Sequence, residues 1–203
     1  MKKYFVVFLF VLLTVSATEA KDFEEVDWKT VTVKEINDLI KAKANINSQD
    51  KNGHTPLMLA ILNSNDPAVV EALIKAKSNV NFRNETAFGL TPLMCAASSN
   101  KNEAVIKLLV KAGADVNARV EKLGGITPLM MAGAYTRNPA VIEALIAAKA
   151  DVSARDVKGK TAFDHAKKNK SIADTSVYWK LRGFKAQGKT EKKKPSVFQK
   201  VQK

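Results

Sequence analysis

A short phrase recurs along this chain at a fixed interval. Thr55-Pro56-Leu57, Thr91-Pro92-Leu93 and Thr127-Pro128-Leu129 stand 36 residues apart, and Thr161-Ala162-Phe163 follows 34 residues later. Such a period marks a stack of supersecondary units, because each unit can bury its apolar face only against its neighbours. Thr is a good N-cap, and Pro is preorganised for the first helical position, where its missing N–H costs nothing. A short first helix is therefore predicted from Thr55 to about Leu62, with copies after Thr91, Thr127 and Thr161.

The columns of the repeat fill in the unit. Leu57, Leu93, Leu129 and Phe163 point into the stack, and Ala60, Ala96, Ala132 and Ala166 are small enough to let neighbouring helices approach closely. After a polar break, Asp66-Pro67, Asn102 and Asn138-Pro139 repeat the cap at the start of a second helix. That helix carries Val69, Val70, Leu73 and Ile74 on one face, as do Val105, Ile106, Leu108 and Leu109, then Val141, Ile142, Leu145 and Ile146. Where Gly113 ends one second helix, the equivalent positions are Lys43, Lys77 and Lys149, which predicts a left-handed residue at each. Each unit closes on a triplet such as Asn79-Val80-Asn81 or Asp115-Val116-Asn117, suited to a chain reversal around an inward apolar residue. Upstream, Thr32 and Glu35 have the spacing of a capping box, with Phe23, Val26 and Trp28 completing an N-terminal cap. Downstream, Asp174 or Thr175 is expected to cap a last helix that Gly183 ends.

Taken together, the Thr-Pro-Leu phrase and segments such as Ala114-Asp115-Val116-Asn117 resemble the ankyrin repeat, from about Val33 to Leu181. The resemblance implies an all-α solenoid of helix-turn-helix units with projecting β-hairpin-like fingers. Two departures stand out. The central units use 36 residues where the family uses about 33, with two of the extra residues in each long finger. The His that usually follows Thr-Pro-Leu is Met58, Met94, Met130 or Asp164, so apolar contact replaces its hydrogen bonding.

Carried over residue by residue, the family's variable contact positions fall on Lys51, Asn52, His54, Leu62 and Asn63 in the first Thr-capped unit. In the second they fall on Ala87, Phe88, Leu90, Ser98 and Ser99, and in the third on Leu123, Gly124, Ile126, Ala134 and Tyr135. The last unit contributes Val157, Lys158, Lys160, Lys168 and Asn169. The two long fingers are unusually apolar, with Phe82, Phe88 and Leu90 in one and Val120, Leu123 and Ile126 in the other. Exposed loops are ordinarily polar, so these side chains either pack on one another or form an apolar patch for a partner.

The ends read differently from the stack. Lys2 and Lys3 precede an apolar run from Tyr4 to Val15, and small residues follow at Ala17 and Ala20. This pattern reads as a signal peptide over residues 1–20, cleaved after Ala17 or Ala20; the competing reading is an uncleaved anchor, for which the run is short. The stack is expected over 21–184 and a basic, disordered tail over 185–203. From Ser176 onward nine Lys or Arg residues face Glu191 alone, a net of +8. Residues 1–20 hold +1, so of the total of +13 only +4 remains for residues 21–175.

Catalysis finds little support. A structural metal site needs about four clustered ligands, and the chain has two His and one Cys. Cys95 shares a column with Leu59 and Met131, which reads as a small buried hydrophobe. No Ser/His/Asp arrangement or glycine-rich phosphate loop is present, and Gly124-Gly125 reads as finger geometry. The expectation is a bacterial, non-enzymatic, monomeric protein-binding module without cofactor or nucleic acid, periplasmic or secreted, with an unknown protein partner. Two other classes stay open: an adaptor held on an anionic envelope surface by its tail, and an accessory factor protecting an exported enzyme.

Overall fold

Each Thr-Pro pair opens a helix. The computed structural model describes residues 22–182 apart from 65, 100, 101 and 174. Nine α-helices lie among them: α1 Val33–Lys41, α2 Pro56–Asn63, α3 Pro67–Lys75, α4 Pro92–Ser98, α5 Glu103–Lys111, α6 Pro128–Tyr135, α7 Pro139–Ala147, α8 Ala162–Ala166 and α9 Ser176–Leu181. The segments expected as signal peptide and basic tail, and Gly183, lie outside the described residues. None of the described helices is long and apolar enough to cross a membrane.

The caps follow the sequence closely. The hydroxyls of Thr55, Thr91 and Thr127 accept from the N–H groups of Met58, Met94 and Met130 at 3.3–3.4 Å. Asp66, Asn102 and Asn138 cap α3, α5 and α7 at 2.9–3.0 Å. Capping boxes open α1 through Thr32 and Glu35, and α8 through Thr161 and Asp164. Thr175 departs from expectation: it sits at the N-cap of α9 without capping it, because its hydroxyl donates instead to the Ile172 carbonyl at 2.6 Å.

The second helices all end alike. Lys43, Lys77, Gly113 and Lys149 have φ of 60°, 69°, 88° and 69°. The residue after each returns its N–H to the carbonyl five positions back, as Ser78 does to Leu73 at 3.1 Å. This is the Schellman arrangement, in which the left-handed residue favours glycine.

The helices stack in two rows. α2, α4, α6 and α8 form the first, and α1, α3, α5, α7 and α9 the second, each packing on its neighbours in the row. First-row helices are covered on nearly every side, with Leu57, Met58 and Ala60 at 0% exposure and Met94 and Met130 no more than 1%. The methionines thus take the apolar role expected of them. A Cβ added at Gly133 would lie 2.7 Å from the Ala162 carbonyl oxygen, so α6 and α8 touch through bare backbone there. At the C-terminal end Phe163 is half-buried rather than fully enclosed, its ring 4.9 Å from that of Tyr178 with Arg182 and Lys167 over it.

Two stability outcomes follow. Lys77→Gly relieves about 1 kcal/mol of left-handed strain, partly offset by a looser unfolded chain, and raises the urea midpoint with an unchanged slope. Gly133→Ala drives a methyl into the α8 backbone, costs about 1–3 kcal/mol and lowers the same midpoint.

Candidate functional site

The fingers are built from two designs. In the short ones, Asp50 to His54 and Asp156 to Lys160, a tight turn closes through Asp50 N–H to the His54 carbonyl at 3.0 Å and Asp156 N–H to the Lys160 carbonyl at 2.9 Å. The long ones use their two additional residues to insert a 3-10 turn, at Glu85–Ala87 and Glu121–Leu123. Single antiparallel bridges, Asn84 with Leu90 and Val120 with Ile126, close them, so they are capped loops rather than extended hairpins. Each needs two consecutive left-handed residues. One finger uses Gly124 and Gly125, with φ of 78° and 76°, and the other uses Phe88 and Gly89, with φ of 62° and 86°. A phenylalanine in the left-handed region is strained, and such strain persists only where the surroundings enforce it.

The apolar finger residues divide by height. At the base, Val120 is 1% exposed and packs with Met94 and Ala118, while Phe82, Leu90 and Ile126 are half-buried against the core. At the tips, Phe88 is 58% exposed and Leu123 37%. The packing reading therefore describes the base of these fingers, while their tips are left exposed. Val157 and Tyr135 are also open. These four are the large apolar side chains left exposed among the described residues, and all occupy positions named from the sequence.

Neighbouring fingers are tied across the stack. Asn52 O accepts from Asn84 Nδ2 at 3.0 Å and from the Thr86 hydroxyl. Lys122 Nζ meets Glu85 Oε2 at 2.5 Å, and Val157 N–H donates to the Gly124 carbonyl at 2.9 Å. Beneath the tips, Arg83 donates to the Arg119 carbonyl at 2.9 Å and Arg119 to the Arg155 carbonyl at 2.6 Å. At the unit junctions, the side-chain oxygens of Asn47, Asn81 and Asn117 accept from the N–H groups of Asn79, Asp115 and Asp151 at 2.8–2.9 Å. The arginine column keeps the 36-residue period and was readable in the sequence; the direction of its hydrogen bonds was not.

The remaining predicted positions separate into available and engaged groups. Lys51, Lys158 and Lys160 are exposed beside the tips. Asn52 is exposed, but its carbonyl belongs to the finger ladder. Leu62, Ala87 and Ala134 are half-buried. Ser98 donates to the Met94 and Cys95 carbonyls of its own helix. Asn169 ties α6 from outside, donating to the Gly133 and Thr136 carbonyls at 3.0 and 2.7 Å. His54 is half-buried, with Nδ1 3.4 Å from the Asp50 carboxylate. Cys95 is buried, and that burial pushes its thiol up to about 12, which removes it as a nucleophile at neutral pH.

The last finger carries an anchor absent from the sequence reading. Asp156 is 9% exposed, accepts from the N–H groups of Lys158 and Lys160 at 2.8 and 2.9 Å, and lies 2.9 Å from His165 Nε2. Burial opposes its ionisation, but the Lys160 N–H, the His165 ring and the Lys158 N–H outweigh it and hold the carboxyl below its ordinary value. Asp164 is held well below that range by Lys167 and by Thr161. Groups with depressed pKa stabilise the fold above their unfolded value, and the contribution is lost as pH falls through the folded one. Unfolding midpoints should therefore drop as pH falls below about 4. Asp156→Ala should lower the midpoint at pH 7 and narrow its difference from pH 3, as followed by circular dichroism.

Among the described residues no group of three or more His, Cys, Asp or Glu is placed to hold a metal ion. What the finger ladder presents is a fixed row of apolar tips, with lysine and arginine side chains around them in excess of the exposed Glu85 and Glu121. No curated protein matches the chain. Residues 32–120 match the family described as Ankyrin repeats (3 copies), and residues 124–157 match the one described as Ankyrin repeat. The chain thus belongs to the ankyrin-repeat family, whose stacked units are protein–protein interaction modules.

Proposed function

We propose that this chain is an exported, non-enzymatic binding module that grips another protein of the cell envelope through its finger tips. The observation that carries the reading is the exposure of Phe88, Leu123 and Val157 on fingers already tied to one another, with Tyr135 open at the end of α6. A surface ordered before binding avoids the cost of immobilising loops on contact. Aromatic and aliphatic anchors at the centre of an interface can each carry about 2 kcal/mol or more. Lys51, Arg83, Arg155, Lys158 and Lys160 are exposed in the same fingers, so the partner surface they fit is apolar at its centre and acidic at its rim. The envelope setting rests on the amino-terminal pattern of Lys2, Lys3 and the apolar run after them.

Phe88 separates binding from folding. Phe88→Gly should raise the unfolding midpoint, because glycine accepts the left-handed φ of 62° without the roughly 1 kcal/mol penalty, yet it should weaken partner capture. Paired with Leu123→Ser it should abolish crosslinked capture from envelope extract, with the midpoint no lower than that of the parent. A fall in stability from Phe88→Gly would show that the ring packs rather than binds, and unchanged capture by the double variant would end the finger-tip reading.

A further inference from the structure

The amino-terminal end of the stack contains a second recognition feature, remote from the fingers. A cavity of about 230 Å³ opens between α1 and the segment that precedes it. Val26, Val31 and Leu39 form its apolar floor, and Glu25, Asp27, Glu35 and Asp38 stand around it. No lysine or arginine lines it. α1 packs on α3 along the row, and the cavity lies at the amino-terminal end of the described helices, lined only by α1 with its C-cap and the residues just before it. Some of the carboxylates have local roles: Glu35 closes the capping box with Thr32, and Asp38 lies 3.8 Å from the exposed Lys41. The opening nevertheless remains apolar below and negative above.

The same chain carries the complementary sequence at its other end. Lys192-Lys193-Lys194-Pro195 is followed within three residues by Val197-Phe198, a cationic run with apolar side chains behind it. We propose that this tail segment from one copy occupies the amino-terminal cavity of another, joining stacks end to end in place of the monomer expected from the sequence. Phe198 or Val197 would meet the floor, and the lysines would face Glu25, Asp27 and Asp38. Chain length favours a contact between copies. Five second-row helices packed about 10 Å apart place α1 roughly 40 Å from α9, and the stretch from Gly183 to Phe198 reaches at most about 50 Å when fully extended. A copy filling its own cavity would need a nearly extended tail along the whole stack, whereas a neighbour's tail enters without stretching. Such a contact is heterologous and repeats from copy to copy.

A charge exchange tests this on the full chain. Sedimentation at low salt should show concentration-dependent association that weakens at least about tenfold in high salt, since the contact is largely ionic. A cavity variant, Glu25→Lys with Asp38→Lys, and a tail variant, Lys192→Glu with Lys193→Glu and Lys194→Glu, should each be monomeric with the parental unfolding midpoint. Mixing the two should restore association, because each then offers the other a complementary end. Association that is unaffected by both sets of changes overturns the proposal, as does a mixture that stays monomeric. So does a parent chain that is monomeric alone and gathers only on phosphatidylglycerol vesicles, a result that would give the tail to an anionic surface instead.

Discussion

Successive first-row helices approach so closely that the rest of the molecule is arranged around that contact. Ala60, Ala96, Ala132 and Ala166 keep the facing surfaces small, and at Gly133 even a methyl group would collide with the Ala162 carbonyl. With the helices this near, Met58, Met94 and Met130 are enclosed almost completely, and the Thr caps beside them are buried as well. A helix covered on nearly all sides cannot be stable alone; it borrows its core from the units before and after it. That dependence explains why the terminal elements differ. Phe23 and Trp28 close one end with stacked rings 6.3 Å apart, and Phe163, Tyr178 and Trp179 close the other.

Close stacking also decides where the polar backbone groups of the fingers go. Adjacent fingers are brought near enough for side chains about one unit apart to reach each other's main chain. Asn81 illustrates the economy of this junction: its oxygen accepts from Asp115 N–H and its amide nitrogen donates to the Gly113 carbonyl. It therefore satisfies the left-handed end of a neighbouring helix and the turn beyond it with one side chain. Asn117 repeats both contacts with Asp151 and Lys149. Main-chain groups that would otherwise need water are paired across units instead.

Local chemistry was the legible part of the sequence. The Thr-Pro caps, the capping box at Thr32 and the left-handed lysines could be read because each depends on residues within one turn, and Gly113 named the conformation its lysine counterparts share. Features that depend on the third dimension were not legible. Asp156 and His165 are nine residues apart with a helix start between them, and nothing in that spacing announces a 2.9 Å contact. The fate of the apolar fingers turned on the inserted 3-10 turns, which lift Phe88 and Leu123 while leaving Leu90 and Ile126 against the core. At positions 84 and 120 the same column is filled by two chemistries: Asn84 is buried through hydrogen bonds to Asn52 and Thr86, and Val120 through packing on Met94. A sequence column cannot reveal which solution a given copy has taken.

The ties between fingers end largely on main-chain carbonyls: those of Asn52, Arg119, Arg155 and Gly124. A carbonyl is present whatever side chain its residue bears. The ladder therefore constrains the path of each finger while placing little constraint on what the tip displays. Lys51, Leu123 and Lys158 can be exchanged for other residues without withdrawing an acceptor from the ladder. The scaffold is in this sense permissive: what the tips display can be rewritten one side chain at a time, while the backbone that presents them keeps its course.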